Sequence, residues 1–152
     1  MDAKMINPFI LATVKVLETM AFIQTKAGKA YLKKDSIARG DISGVIGITG
    51  EQNGTISVTF KKKCILKIVS NMLGEKIETI DRVVQDAVGE LTNMISGQAR
   101  AGLEEMGKIF HAAIPTVITG ENHTIISISS GPKFAIPFTT EDGDFTIEVC
   151  FD

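Results

Sequence analysis

From Asp81 to Met106 the chain repeats its apolar residues at helical spacing, and this run constrains the fold more than any other feature. At about 100° per residue, Val84, Val88, Leu91, Ile95, Ala99, Gly102 and Met106 fall on one side, which has to face a core. Arg82, Asp86, Glu90, Asn93, Gly97 and Arg100 fall on the other side, within roughly 40° of one line. That polar line is poor in helix formers. Asn competes with the helix for nearby backbone groups, and Gly costs about 1 kcal/mol against Ala in a helix interior. Gly89, Asn93 and Gly97 therefore give up helix propensity around one spot. Two readings stand side by side. One is a solvated face whose glycines allow close helix packing. In the other, small residues clear room for another protein's surface to approach Glu90 and Asn93.

The rest of the chain predicts what this helix packs on. Asn7-Pro8 reads as an N-cap and first helical residue, and Phe9, Ile10, Val14, Leu17 and Ala21 continue a helix to about Phe22. Ala30 to Lys33 is a short candidate strand. Ile42 to Thr49 and Thr55 to Phe60 read as a hairpin, with Asn53-Gly54 supplying the φ > 0 pair of a tight turn. Lys61 to Leu73 returns to helical period and stops at Gly74. Thr116 to Thr119, Thr124 to Ser129, Phe134 to Thr139 and Phe145 to Phe151 alternate with turn signals and predict an antiparallel meander. The order predicts an α+β fold, a mainly antiparallel sheet with helices packed on it, as one domain over residues 1–152.

Composition narrows the function classes. Sixteen Lys and Arg stand against 18 Asp and Glu, which leaves no electrostatic footprint for nucleic acid or an anionic membrane. The run Lys61-Lys62-Lys63 reads as a solvated face. No signal peptide is read at the N-terminus, and no apolar run approaches the roughly 20 residues that span a bilayer, so the expectation is a cytoplasmic protein. Cys64 and Cys150 lie in apolar patterns and are expected as buried free thiols. His111 and His123 fall in different elements without zinc-ligand spacing, and are expected as surface or satisfied polar groups. The glycine-bearing stretch Ile42 to Gly50 lacks the Lys and following helix of a phosphate loop, and reads as a closely packed strand. Ser129-Ser130-Gly131 has no serine-hydrolase context.

Asp86-x3-Glu90-x2-Asn93, followed by Pro115, resembles the signature of the chemotaxis phosphatase family of CheC, CheX and FliY. The stretch Gly89-Glu90-Leu91-Thr92-Asn93-Met94-Ile95-Ser96-Gly97, and the opening Ile6-Asn7-Pro8-Phe9-Ile10, are most similar to its CheX branch. The resemblance covers essentially the whole chain and implies a CheC-like fold. It implies dephosphorylation of the phosphoaspartate of a CheY-like response regulator, with Glu90 and Asn93 as the catalytic pair. Asn93 would position the attacking water, and Glu90 would dock to the regulator's lysine. Asp86 and Gly97 would face the partner, Asp86 as a rim contact or as the helix-surface partner of Arg82. Pro115 would shape the exit into the following strand.

The resemblance implies no cofactor of the chain's own; Mg²⁺ is expected in the partner regulator. It implies a homodimer joined through the sheets. CheC-like members carry the motif twice, whereas here the first helix offers Glu18-Thr19-Met20-Ala21, with Ala in place of the amide, so one site is expected. A non-catalytic dimeric adaptor that binds a receiver domain is the alternative from another class. A small-ligand domain is a more distant third.

Overall fold

The computed structural model describes residues 3–127, 129 and 131–152. A 3₁₀ turn, Ala3–Met5, runs into α1 (Ile6–Ala21); two short strands follow, β1 (Lys26–Ala27) and β2 (Tyr31–Lys33). Then come β3 (Ile42–Gly50), β4 (Gly54–Phe60), α2 (Lys62–Leu73) and α3 (Arg82–Glu105). The chain closes with β5 (Phe110–Ala112), β6 (Thr116–Thr119), β7 (Lys133–Thr140) and β8 (Gly143–Phe151). All strands join one antiparallel sheet in the order β1-β7-β8-β4-β3-β5, with β2 also on β7 and β6 also on β3. The predicted α+β class with an antiparallel sheet is the observed one.

The sheet's two faces follow from the period-2 alternation of its strands. Ile42, Ile46, Ile56, Val58, Phe60, Phe145, Ile147 and Phe151 all point to one side and are buried beneath the helices, where they form one core with Phe9, Leu17, Ile65, Val69, Val88, Leu91 and Ile95. The alternate residues Ser43, Thr55, Ser57, Thr59 and Glu148 point the other way and are also buried. Two irregular strips, 34–40 and 120–127, cover that back face. They are bridged at Ile37 and Thr124, and the Ala38 and Ile125 amides donate to the His123 and Ser36 carbonyls. Beneath them the polar groups satisfy one another. Ser43 Oγ lies 2.6 Å from both Thr59 Oγ1 and His123 Nε2, and Lys33 Nζ pairs with Glu148 at 3.0 Å.

This cover explains two departures from the sequence reading. Thr124 to Ser129 is no strand among its described residues, because its backbone bonds go to an irregular strip; Ile128 and Ser130 lie outside the described residues. The C-terminal strands form no meander either. β6 pairs with β3 at the far side of the sheet, and only β7 and β8 are a hairpin.

Two local expectations also change. The β3–β4 hairpin forms, but Gly54 is already a strand residue paired with Phe151, and the left-handed φ lies at Gly50 (φ 153) rather than at Asn53-Gly54. The N-cap of α1 is Met5, not Asn7, because the 3₁₀ turn delivers the chain already coiled; Pro8 still lies in the first turn, where a missing N–H costs nothing. Gly74 ends α2 at φ 67, as predicted.

One close approach sets the spacing of helix and sheet. A Cβ at Gly44 would lie 2.9 Å from Thr92 Cβ and closer still to its hydroxyl, so α3 rests on β3 where only a glycine fits. A Cβ at Gly47, on the opposite face of the same strand, would meet nothing within 4 Å. Gly44→Ala should therefore cost about 1–3 kcal/mol in urea unfolding, whereas Gly47→Ala should stay within about 0.5 kcal/mol of wild type.

Candidate functional site

Asp81 opens α3 by accepting the Val84 amide on Oδ1 at 3.1 Å, which fixes the phase of the helix from its first turn. Val84, Val88, Leu91, Thr92, Ile95, Ser96, Ala99 and Leu103 are buried beneath it. The predicted core line holds through Ala99 and then shifts: Leu103 takes the place given to Gly102 and Met106, and Met106 is 40% exposed. Thr92 is anchored twice over, since its hydroxyl donates to the Val88 carbonyl at 2.7 Å and its side chain sits over Gly44. Glu90 and Asn93 flank this anchored turn and point to solvent.

Neither the Glu90 nor the Asn93 side chain makes a hydrogen bond or ion pair with any described residue. They are i, i+3 neighbours, so their Cβ atoms lie roughly 5–6 Å apart on one ridge. Asp86 is exposed one turn earlier and pairs with Arg82 at 3.6 Å, the helix-surface role that its i+4 spacing allows. Both partners are largely in water, where such a pair contributes about 0.2–1 kcal/mol.

The glycines of α3 divide by function. Gly102 serves packing, since a first side-chain carbon there would lie 3.0 Å from Pro8 of α1, whereas at Gly89 it would make ordinary contact with Val117 of β6 at 3.5 Å. Gly97 borders open space, its nearest neighbour being Arg100 Nη2 at 3.8 Å. Gly102 thus fits the close-packing reading, and Gly97 lies on the open side of the helix.

α1 runs alongside α3 in the opposite direction, with Pro8 against Gly102 and Lys15 near Gln98. Thr13 repeats the bond of Thr92, donating to the Phe9 carbonyl at 2.7 Å. Aligning these two threonines matches buried Met5, Phe9, Ala12, Val16 and Leu17 with buried Val84, Val88, Leu91, Ile95 and Ser96. In that register Leu11 and Val14 occupy the places of Glu90 and Asn93. The comparison with Glu18 and Ala21 is corrected accordingly, since Ala21 is a fully buried residue at the helix end. The outcome for α1 is unchanged: it presents no carboxylate and amide at this spacing.

Other groups stay apart from the stripe. Burial pushes the Cys64 thiol up to about 11, so it remains protonated near neutrality, and Cys150 is a second buried free thiol. His123 is satisfied by the Gly120 carbonyl and Ser43, while His111 is exposed on β5. The described residues contain no cluster of His, Cys, Asp and Glu placed to hold a metal ion, and no helix long and apolar enough to cross a membrane. A groove of about 410 Å³ lies between α1 and the end of α3, lined by Pro8, Leu11, Gly102 and Met106, and a hollow of about 800 Å³ lies beside α2 and Phe22. Glu90 and Asn93 line neither. The pair stands on an open, convex helix face.

The antiparallel sheet with its long helix is the fold of the CheC-like superfamily. Residues 42–139 match the family model of the chemotaxis phosphatase CheX. The chain is 32% identical over 151 residues to the CheY-P phosphatase CheX of Thermotoga maritima, covering 98% of this chain and 97% of that one. A crystal structure of CheX from Desulfovibrio desulfuricans is 52% identical and superposes with a TM-score of 0.92, over 98% of this chain and 99% of its own. A CheX–CheY–BeF₃–Mg²⁺ complex from Borrelia burgdorferi is 25% identical, with a TM-score of 0.81 and 96% of each chain covered. The chain belongs to the CheX family of chemotaxis phosphatases.

The glycine assignments carry a stability test. Gly97→Ala should raise the unfolding free energy by up to about 1 kcal/mol, because it gains helix propensity with room for the methyl group. Gly102→Ala should gain less or lose stability, because its methyl meets Pro8. Thermal melts followed by circular dichroism separate the two.

Proposed function

We propose that this chain hydrolyses the phosphoaspartate of a CheY-like response regulator, with α3 as the helix that enters the regulator's active site. The observation that carries the reading is the exposed, unpartnered pair Glu90 and Asn93 on a helix held by Thr92, in a chain of the CheX family. The relative solved as a CheX–CheY–BeF₃–Mg²⁺ complex supports the partner class and the location of Mg²⁺ with the regulator.

The chemistry asks little covalent work of α3. An acyl phosphate is already activated, and Mg²⁺ in the regulator neutralises the phosphoryl oxygens. What is lacking is a water held in line. The Asn93 carbonyl oxygen can accept from that water while its NH₂ donates to a phosphoryl oxygen, which orients attack without a strong base. A P–O bond forms to the water oxygen, the bond to the aspartate oxygen breaks, and the carboxylate leaves with its electron pair. The water's protons pass to inorganic phosphate and solvent. Glu90, one turn earlier, pairs with the regulator's lysine and sets the docking register. Gly97 leaves the ridge low enough for the partner's surface, and Asp86 lies at the rim. Pro115 acts on the path into β6 rather than on substrate.

The same reading includes a homodimer joined through the sheets. Strand β2 on β7 and strand β6 on β3 have no further strand paired outside them among the described residues, and Tyr31 and Leu32 on β2 are each at least half exposed. Sedimentation at micromolar concentration should give a dimer; a clean monomer would refute it.

Release of phosphate from a phosphorylated CheY-like protein tests the catalytic assignment. Asn93→Ala should lower the acceleration at least about 100-fold, the usual loss when a water-positioning or transition-state contact is removed, while binding of the regulator survives. Glu90→Ala should weaken both. Equal acceleration by wild type and Asn93→Ala would sink the mechanism.

A further inference from the structure

The last member of the polar stripe, Arg100, is oriented for use. Its Nε approaches the Ser96 hydroxyl at 3.4 Å, and its Nη2 lies 3.8 Å from the point where Gly97 would carry a Cβ. The side chain is therefore laid back along the helix toward Asn93, over the residue that has no side chain to obstruct it. It makes no ion pair among the described residues, although Glu104 stands at i+4 on the same helix, while Arg82 does pair with its own i+4 acid, Asp86. A guanidinium held part-buried against a single hydroxyl keeps most of its donors uncommitted.

The surface proposed to meet this stripe is rich in negative charge. A phosphoaspartate site that holds Mg²⁺ commonly sets one or two carboxylates against the metal beside the phosphoryl oxygens and waters. Glu90 answers the one lysine of such a site. Within the described residues, the stripe's carboxylates Asp86 and Glu90 are matched only by Arg82, already paired, and Arg100. The cation left over lies on the Gly97 side of Asn93.

We propose that Arg100 is a docking residue for the phosphorylated regulator, its guanidinium pairing with a carboxylate on the rim of the regulator's acidic site. The inference rests on the reading of Glu90 and Asn93 as the regulator-facing pair and adds a second electrostatic contact at the other end of the footprint. It assigns Arg100 to recognition and association, not to the reacting atoms. Gly97 gains a second purpose, as the gap over which the guanidinium lies.

Binding is measured with the regulator loaded with BeF₃ and Mg²⁺, alongside steady-state phosphate release and a salt series, using the full chain. Arg100→Gln should weaken binding and raise KM by about tenfold, the scale of a charge-assisted contact, with kcat within about twofold of wild type. Its affinity should also depend less steeply on salt. Arg100→Lys keeps the charge and should recover most of the affinity and the salt dependence. The melting temperature should not move, since the Ser96 contact is long. Affinity of Arg100→Gln within twofold of wild type at low salt would overturn the proposal, as would an equal loss in Arg100→Lys. If Asn93→Ala still accelerates hydrolysis while Arg100→Gln loses affinity, the catalytic reading fails and the docking contact stands. If wild type does not bind the loaded regulator, both fail.

Discussion

The contact of Thr92 with Gly44 holds the candidate site in place. Thr92 sits between Leu91 and Asn93, its hydroxyl tied to the turn below it and its methyl-bearing carbon seated on a strand that has no side chain there. This fixes α3 in height above the sheet and in rotation about its own axis. The neighbours of Thr92 then have no choice of direction. Leu91 and Ile95 enter the core, and Glu90 and Asn93 face outward at the spacing of a helical turn. The backbone position of the exposed pair is thus set by the buried contact beside it.

The back of the sheet solves a different problem. A sheet in the middle of a domain usually buries apolar residues on both faces, yet here β3, β4 and β8 present Ser43, Thr55, Ser57, Thr59 and Glu148 to the cover. Each buried polar group costs free energy unless it is bonded, and partners come from the cover strip through His123 and Ser127 and from the end of β2 through Lys33. Bonds of this kind are directional, so the two strips are held in one register over the sheet although they have almost no regular structure of their own.

The helices, the hairpin β3–β4 and the antiparallel class were legible because each rests on local periodicity. The long helix was readable almost to its ends, and its exposed stripe was readable as a stripe. Partner choice between distant strands was not. Nothing local to Thr116–Thr119 says that it pairs with β3 rather than with β7, since that depends on the path the chain takes around the back. The run from Thr124 alternates like a strand because its residues do point alternately at the sheet and at solvent, but it finds an irregular neighbour and builds no ladder. At the site, Glu90 and Asn93 were picked out by resemblance, whereas the anchor Thr92–Gly44 was hidden. The clue was present in the glycine of a β-branched strand, but its partner lies in another element. Arg100 was visible as part of the stripe; the direction its side chain takes was not.

Among the described residues the Glu90 and Asn93 side chains have no hydrogen-bond or ion-pair partner, so no such contact holds either to one rotamer. A regulator docking on them as proposed would have to order them, at about 0.5–1.5 kcal/mol for each. For a permanent complex that freedom would be a defect. For a surface that meets its partner briefly it shortens the stay, since the same entropy is returned when the two separate. The rigid backbone of α3 and the loose side chains on it thus divide two demands, accuracy of placement and ease of release, between different degrees of freedom of one helix.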